Sequence, residues 1–213
     1  MKGYFITFEG PDGSGKTTVT NRLCEILTEK GFDVVHTREP GGIEIAEEIR
    51  SIILDPKNTK MDAKTEALLY AASRAQHVHQ VIRPAVERGE LVLCDRFVDS
   101  SVAYQGGGRE LGVDTIQQIN EPAVDGMMPD ATVYLDLDHR EALMRRLNAS
   151  EPDRLELQDV EFHERVEKAY ERLIRENKKR FLVVDASRDI ESIAKDALDR
   201  VLERLLPDRR KED

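Results

Sequence analysis

Gly10-Pro11-Asp12-Gly13-Ser14-Gly15-Lys16-Thr17 spells G-x-x-x-x-G-K-[ST], a loop whose backbone amides cradle phosphate. Its flanks agree with its spelling. Tyr4-Phe5-Ile6-Thr7-Phe8 is rich in β-branched and aromatic residues and reads as a strand. After the loop, Val19, Leu23, Ile26 and Leu27 recur at helical spacing. Strand, glycine-rich loop and helix are the context that such a loop needs. Glycines let successive N–H groups turn inward as an anion-binding nest. The helix N-terminus adds unpaired donors and a partial positive charge. Lys16 can reach the β- and γ-phosphates of a nucleotide, and the Thr17 hydroxyl can ligate Mg²⁺. The nucleotide-binding segment is therefore Gly10, Pro11, Asp12, Gly13, Ser14, Gly15, Lys16, Thr17 and Thr18. What receives the phosphate must be read from the rest of the chain.

At 213 residues the chain is long enough for a single α/β domain, 1–213, with a substantial core. Five apolar runs, 4–8, 33–37, 91–95, 132–137 and 181–185, read as buried parallel strands. Helical patterns separate them. This alternation predicts a doubly wound parallel sheet with helices on both faces and ligands at the carboxyl ends of its strands. Gly31 and Gly89 fall where C′ glycines belong, and Asp62 and Asp114 read as N-caps. The longest helix spans about 63–88, bent at Pro84, with Leu68, Leu69, Ala72, Ala75 and Val78 as its core positions. The tail 207–213 is polar.

Charge narrows the partners. Lys and Arg number 32 against 42 Asp and Glu, a net charge of -10. Such a chain is a poor candidate for general nucleic-acid or anionic-membrane binding. No stretch approaches the ~20 apolar residues of a membrane span, and no leader precedes the first strand. Cys24 and Cys94 sit in an expected helix and strand and read as reduced thiols of a cytoplasmic protein.

Chemistry-bearing residues cluster at the expected strand ends. Thr37-Arg38-Glu39-Pro40-Gly41-Gly42 is a loop after the second strand; its spelling leaves the isomer of the bond before Pro40 open. Arg50 follows on a helix. Tyr70 and Arg74 are four apart and share a helical face, so that a ring could stack on a base while the guanidinium bonds its edge. His77 and His79, two apart, do not share a face and read as structural or solvent-facing. Asp95, ending the third strand, can hold Mg²⁺, and Arg96 beside it can meet an acceptor phosphate. Ser101 and Gln105 share a face if their segment is helical. A charged stretch follows the fourth strand: a helix, a polar loop near 145–157, then a helix from about Val160. It reads as a lid carrying Arg145, Arg146 and Arg154.

The segments 8–18, 37–42, 95–97 and 103–106 together resemble the thymidylate kinases of bacteria and archaea. The likeness runs from about Phe5 to Ser187. The resemblance implies a sheet ordered 2-3-1-4-5 and transfer of phosphate from ATP to dTMP, giving ADP and dTDP for dTTP synthesis, with Mg²⁺ and in a homodimer. It places Asp12 on the deoxyribose 3′ hydroxyl, Glu39 in the acceptor pocket, and Arg50 and Arg96 on the dTMP phosphate. Tyr70 would stack on thymine, Arg74 would reach a base carbonyl, and Ser101 and Gln105 would lie along the base edge. Tyr104 would stand where a ribose 2′ hydroxyl needs room. Lys16, Arg96 and a lid arginine form the electrostatic set, with Asp12 organising the metal region around Thr17 and Asp95. Because Gly13-Ser14 holds no arginine, the lid-arginine branch of the family is favoured, with Arg154 the first candidate and Arg146 and Arg145 next. Three other readings compete: a kinase for another acceptor, a nucleotide-dependent switch, and a non-catalytic scaffold that keeps the fold, against which intact Lys16, Thr17, Asp95 and Arg96 argue. The guanine-reading string Asn-Lys-x-Asp of such switches has only Asn177-Lys178-Lys179-Arg180 as its counterpart, without the Asp.

Overall fold

The structure is a computed structural model that describes residues 3–147 and 153–205. Five parallel strands, β1 (Tyr4–Glu9), β2 (Val34–Arg38), β3 (Leu91–Asp95), β4 (Ala131–Asp136) and β5 (Phe181–Asp185), form one sheet in the order β2-β3-β1-β4-β5. Between them run α1 (Lys16–Glu29), α2 (Glu44–Leu54), α3 (Ala63–His77), α4 (Arg83–Glu87), α5 (Val98–Ser101), α6 (Val113–Val124), α7 (His139–Leu147) and α8 (Val160–Glu176), and α9 (Ile190–Leu205) ends the described chain.

Period-two alternation on the strands sorts the core. Ile6 and Phe8 of β1 pack with Leu93 and Val133 against Val19 and Leu23 of α1 and Ala194 and Ala197 of α9. Phe5, Val92 and Cys94 face the other side and meet Val78 and Ile82. Each fully buried leucine or phenylalanine contributes about 1.5–3 kcal/mol relative to exposure. Cys94 is buried, Cys24 half-buried, and both thiols are free. No helix among the described residues is long and apolar enough to cross a membrane.

Three local expectations change. The segment expected as one helix from 63 to 88 is α3, a π-helical turn at Val78–Ile82, then α4, which Pro84 opens rather than bends; proline suits a first turn, where its missing N–H costs nothing. Asp114 lies inside the first turn of α6, and Gly112, at φ 84°, holds the N-cap position. On α3, Leu68, Ala72 and Ala75 face outward, Leu68 being 57% exposed. The buried face is Glu66, Ala67, Ala71, Ser73, Arg74 and His77. Of these six only Arg74 lines the cleft at the carboxyl ends of the strands, while Glu66, Ser73 and His77 are hydrogen-bonded behind its wall. Asp62 does cap α3, accepting from the Lys64 N–H, and Gly31 and Gly89 have the positive φ expected after helices.

Candidate active site

The carboxyl ends of β1, β2 and β3 open onto a cleft of about 630 Å³. Its floor is the phosphate-binding loop. At Gly13 (φ 91°) an added Cβ would stand 2.0 Å from the Ala142 carbonyl of α7, so only glycine lets the loop pass beneath that helix. Lys16 is buried, and its Nζ donates to the Gly10 and Pro11 carbonyls at 3.1 and 2.8 Å. Burial, and then the Arg96 charge, lower its pKa against the pull of Asp12, Asp95 and Glu9. A phosphate arriving here meets an ammonium that has little solvation to lose. The Ser14 hydroxyl is buried with no hydrogen bond among the described residues, an open partner for an oxyanion.

Thr17 Oγ1 donates to Asp95 Oδ2 at 2.6 Å. The other carboxylate oxygen, Asp95 Oδ1, is buried and has no partner among the described residues. An orphaned buried carboxylate oxygen beside a threonine hydroxyl, under a phosphate loop, fits an oxygen-ligated Mg²⁺.

Arg96 is the most constrained residue of the site. Its φ is 66°, left-handed and unusual for a non-glycine. The turn is over-determined by its neighbours. The Arg96 N–H donates to the Phe8 carbonyl at 2.9 Å. Its guanidinium donates to Asp12 Oδ1 at 2.5 Å and to Ser100 Oγ at 3.0 Å, and lies over the Tyr104 ring at 5.1 Å. Tyr104 in turn donates its hydroxyl to Asp12 Oδ2 at 3.0 Å. Burial works to raise the Asp12 pKa, but the Arg96 and Lys16 charges and the Arg96 and Tyr104 hydrogen bonds outweigh it and hold the carboxyl well below its usual range. Behind this group lies Glu9. It accepts from the Phe97 N–H (2.9 Å), Ser100 Oγ (2.6 Å) and Tyr170 hydroxyl (2.8 Å). Burial pushes its pKa up to about 7, aided by Asp99 and opposed by Arg96 and its hydrogen-bond donors.

The opposite wall is built on the loop after β2, where the Glu39–Pro40 bond is cis. Arg50 reaches across from α2 to the Pro40 carbonyl at 2.9 Å. Glu39 is held from two sides, by Arg74 Nε at 2.8 Å and by His77 Nδ1 at 2.9 Å. His77 Nε2 meets Thr37 Oγ1 at 2.7 Å. Arg74 also donates to Ser101 Oγ at 3.1 Å and to Asn120 Oδ1, and lies over the Phe97 ring. Tyr70, Ser101, Tyr104 and Gln105 complete this wall. Ser101 ends α5, and a π-helical turn at Val102–Gly108 carries Tyr104 and Gln105.

The three candidate lid arginines stand in different places. Arg154, the first candidate for the lid arginine, does not line the cleft. It is buried, donating to the Ile53 carbonyl at 2.7 Å and pairing with Glu66 at 2.6 Å. The Glu66 contact is an ion pair without hydrogen-bond geometry at Nη2, and the Ile53 carbonyl takes the hydrogen bond from Nε. Arg145 and Arg146 do line the cleft. Arg146, beneath which the Gly13 turn passes, pairs with Glu156. Part of the expected lid, 148–152, and the expected tail, 207–213, lie outside the described residues.

The sequence reading missed Glu9, Glu66, Phe97, His77 as a partner of Glu39, and Asn120. For Glu66 and His77 a signal existed. Glu66, Tyr70, Ser73, Arg74 and His77 recur at helical spacing, a polar face that is buried apart from the half-buried Tyr70. Asn120 sits mid-helix on α6 with no such signal.

Known proteins resemble this chain in sequence and in architecture. The thymidylate kinase family pattern matches residues 8–197. A thymidylate kinase of Bacillus pumilus is 52% identical over 201 residues, 93% of this chain and 94% of that protein. One from a Geobacillus species is also 52% identical, over 91% of this chain and 93% of its own. In three dimensions, the crystal structure of thymidylate kinase from Ehrlichia chaffeensis aligns with a TM-score of 0.78 at 33% identity, covering 95% of this chain and 99% of that one. With the phosphate loop, the loop after β2 and the Asp95-Arg96 turn meeting in one cleft, and with likeness over nearly its whole length, the chain belongs to the thymidylate kinase family.

Proposed function

We propose that this cleft carries the ATP-dependent phosphorylation of dTMP to dTDP by direct in-line transfer. The observation that supports it most is that one cleft joins Lys16 on the phosphate loop to Arg96, and Arg96 to a wall of Tyr70, Arg74 and Gln105. One nucleotide's phosphates lie on the loop and the other nucleotide's base lies on the wall. An oxygen of the dTMP phosphate attacks the γ-phosphorus, the bond to the β–γ bridging oxygen breaks, and its electron pair leaves with ADP. The acceptor oxygen is already anionic, so no strong base is needed. Lys16 and Arg96 hold the two phosphates in line and offset their charge. Thr17 and Asp95 would hold Mg²⁺, which when bound neutralises charge on the donor phosphates.

Arg50 grips the acceptor phosphate beside Arg96, and Glu39 shapes the pocket. Tyr70 stacks on the base, with Arg74, Ser101 and Gln105 along its edge. Asp12 takes the sugar 3′ hydroxyl, and Tyr104, hydrogen-bonded to Asp12, fills the space of a 2′ hydroxyl. The lid cation comes from Arg146 or Arg145, a reading supported by their place at the cleft, with residues 145–157 as the lid of a single domain. A homodimer contact on α2 and α3 is supported by the outward Ile45, Ile52 and Leu68. Free thiols at Cys24 and Cys94 suit a reducing cytoplasm.

The test is ADP release from Mg-ATP with dTMP, dUMP, UMP, dCMP, dGMP, AMP, thymidine or no acceptor. Fast turnover with dTMP, weaker with dUMP and negligible with the rest is expected. Fast turnover with another acceptor would overturn the roles given to the wall, and acceptor-independent hydrolysis would overturn the transfer itself. The same preparation is expected to have the mass of two chains by light scattering; a single-chain mass would remove the dimer.

A further inference from the structure

Glu66 is fully buried on α3, one helical turn before Tyr70. Every group that the structure sets against it is a donor. Gln105 Nε2 donates to Oε1 at 2.9 Å. Arg109 Nε lies 3.2 Å from each oxygen, and its Nη2 donates to Oε2 at 3.0 Å. Arg154 Nη2 pairs with Oε2 at 2.6 Å. The two guanidiniums are themselves fixed. Arg109 lies over the Phe162 ring at 4.9 Å and donates to Gln158 Oε1, and Arg154 is tied to the Ile53 carbonyl. Paired in this way, the Glu66 carboxylate can only accept hydrogen bonds.

This decides the orientation of the Gln105 amide. The NH₂ end faces Glu66. If the amide turned over, its carbonyl would stand against a carboxylate oxygen with no proton between them, a buried repulsion and two lost partners. The carbonyl is therefore held on the other side. Oε1 accepts no hydrogen bond among the described residues, and Gln105 lines the cleft. An acceptor fixed at the base edge suits a pyrimidine that offers a ring N–H, as the imides thymine and uracil do. Cytosine presents a ring nitrogen lone pair at the same position, acceptor against acceptor.

We propose that Glu66 is a positioning residue that locks the Gln105 amide with its carbonyl toward the cleft, so that the site takes imide bases and refuses those with an acceptor at that ring position. This rests on the acceptor reading above and deepens it. Arg109 and Arg154 serve as counter-charges that keep Glu66 in place, which gives Arg154 a role away from the transferring phosphate.

The test compares kcat/KM for dTMP, dUMP and dCMP in wild type, Glu66→Gln, Gln105→Met and the double variant. An amide at position 66 can donate or accept, so it releases Gln105 to turn over. The dTMP:dCMP ratio is expected to fall at least about tenfold in Glu66→Gln, mainly through KM for the acceptors. The dTMP:dUMP ratio, which only a methyl group decides, should stay within about twofold, and KM for ATP should not move. Gln105→Met should lose the same discrimination, and the double variant should lose no more than either single one. A dTMP:dCMP ratio that stays at the wild-type value in Glu66→Gln, whatever happens to stability, would overturn the positioning role alone. Should Glu66→Gln not fold, Gln105→Met decides: retained discrimination against dCMP overturns the proposal. A wild-type enzyme that does not prefer dTMP would overturn the acceptor reading and this proposal with it.

Discussion

The residues of this site spend most of their hydrogen-bonding capacity on one another before any nucleotide arrives. Arg74 meets Glu39, Ser101 and Asn120, and Arg96 meets Asp12, Ser100 and Tyr104. Such bonds hold side chains in place so that little ordering remains for binding. Glu9 is the anchor behind Arg96, and its titration is a residue-scale consequence. In the unfolded chain its carboxyl loses its proton near 4.5, whereas in the fold burial holds the pKa up to about 7. Between those values the native state keeps a proton that the unfolded state has lost. The stability that Glu9 contributes therefore falls as pH rises through this window and is level above it. Glu9→Gln is neutral throughout. Measured by denaturant unfolding, the stability of wild type minus that of Glu9→Gln should drop by about 1–3 kcal/mol from pH 5 to pH 8. A difference that does not change with pH would contradict the assignment.

Among the elements, the lid segment makes the sharpest prediction. Arg146 lies at the cleft beside the Gly13 turn, while Arg154 is buried against Glu66. Arg146→Ala should lower kcat by about 10²–10³ with KM for dTMP near wild type, as loss of a transition-state cation does. Arg154→Ala should cost about 1–3 kcal/mol of stability and much less turnover. The reverse pattern, with chemistry shown to limit the rate, would return the catalytic role to Arg154. That distinction was not legible in the sequence. Both arginines stand in a charged run, and only the third dimension supplies Glu66 and the Ile53 carbonyl to one of them. The strands were legible to within a residue at most ends, because buried parallel strands are short apolar runs between helical patterns. The phosphate loop was legible because its glycines are required by backbone geometry. The inner face of α3 is not legible in the sequence, because leucine and alanine there are not core markers. There the polar residues turn inward to hydrogen-bond in and behind the cleft wall, and Leu68 turns outward. The π-helical turns at Val78–Ile82 and Val102–Gly108 have no periodic signature of their own.

At the scale of the whole molecule, the strand order does the assembling. With β1 between β3 and β4 and β2 outside β3, the phosphate loop, the Asp95-Arg96 turn and the loop after β2 open on the same side of the sheet. Residues 80 or more positions apart, such as Asp12 and Arg96, become hydrogen-bond partners. In the proposed function donor and acceptor share one cleft. The central claim is direct transfer inside a complex that holds both nucleotides at once. The measurement that tests it most directly is the initial-velocity pattern with Mg-ATP and dTMP varied against each other. Double-reciprocal lines that intersect, with both substrates required before ADP is released, are the predicted result. Parallel lines, with ADP released and a phosphorylated enzyme isolated before dTMP is added, would contradict it.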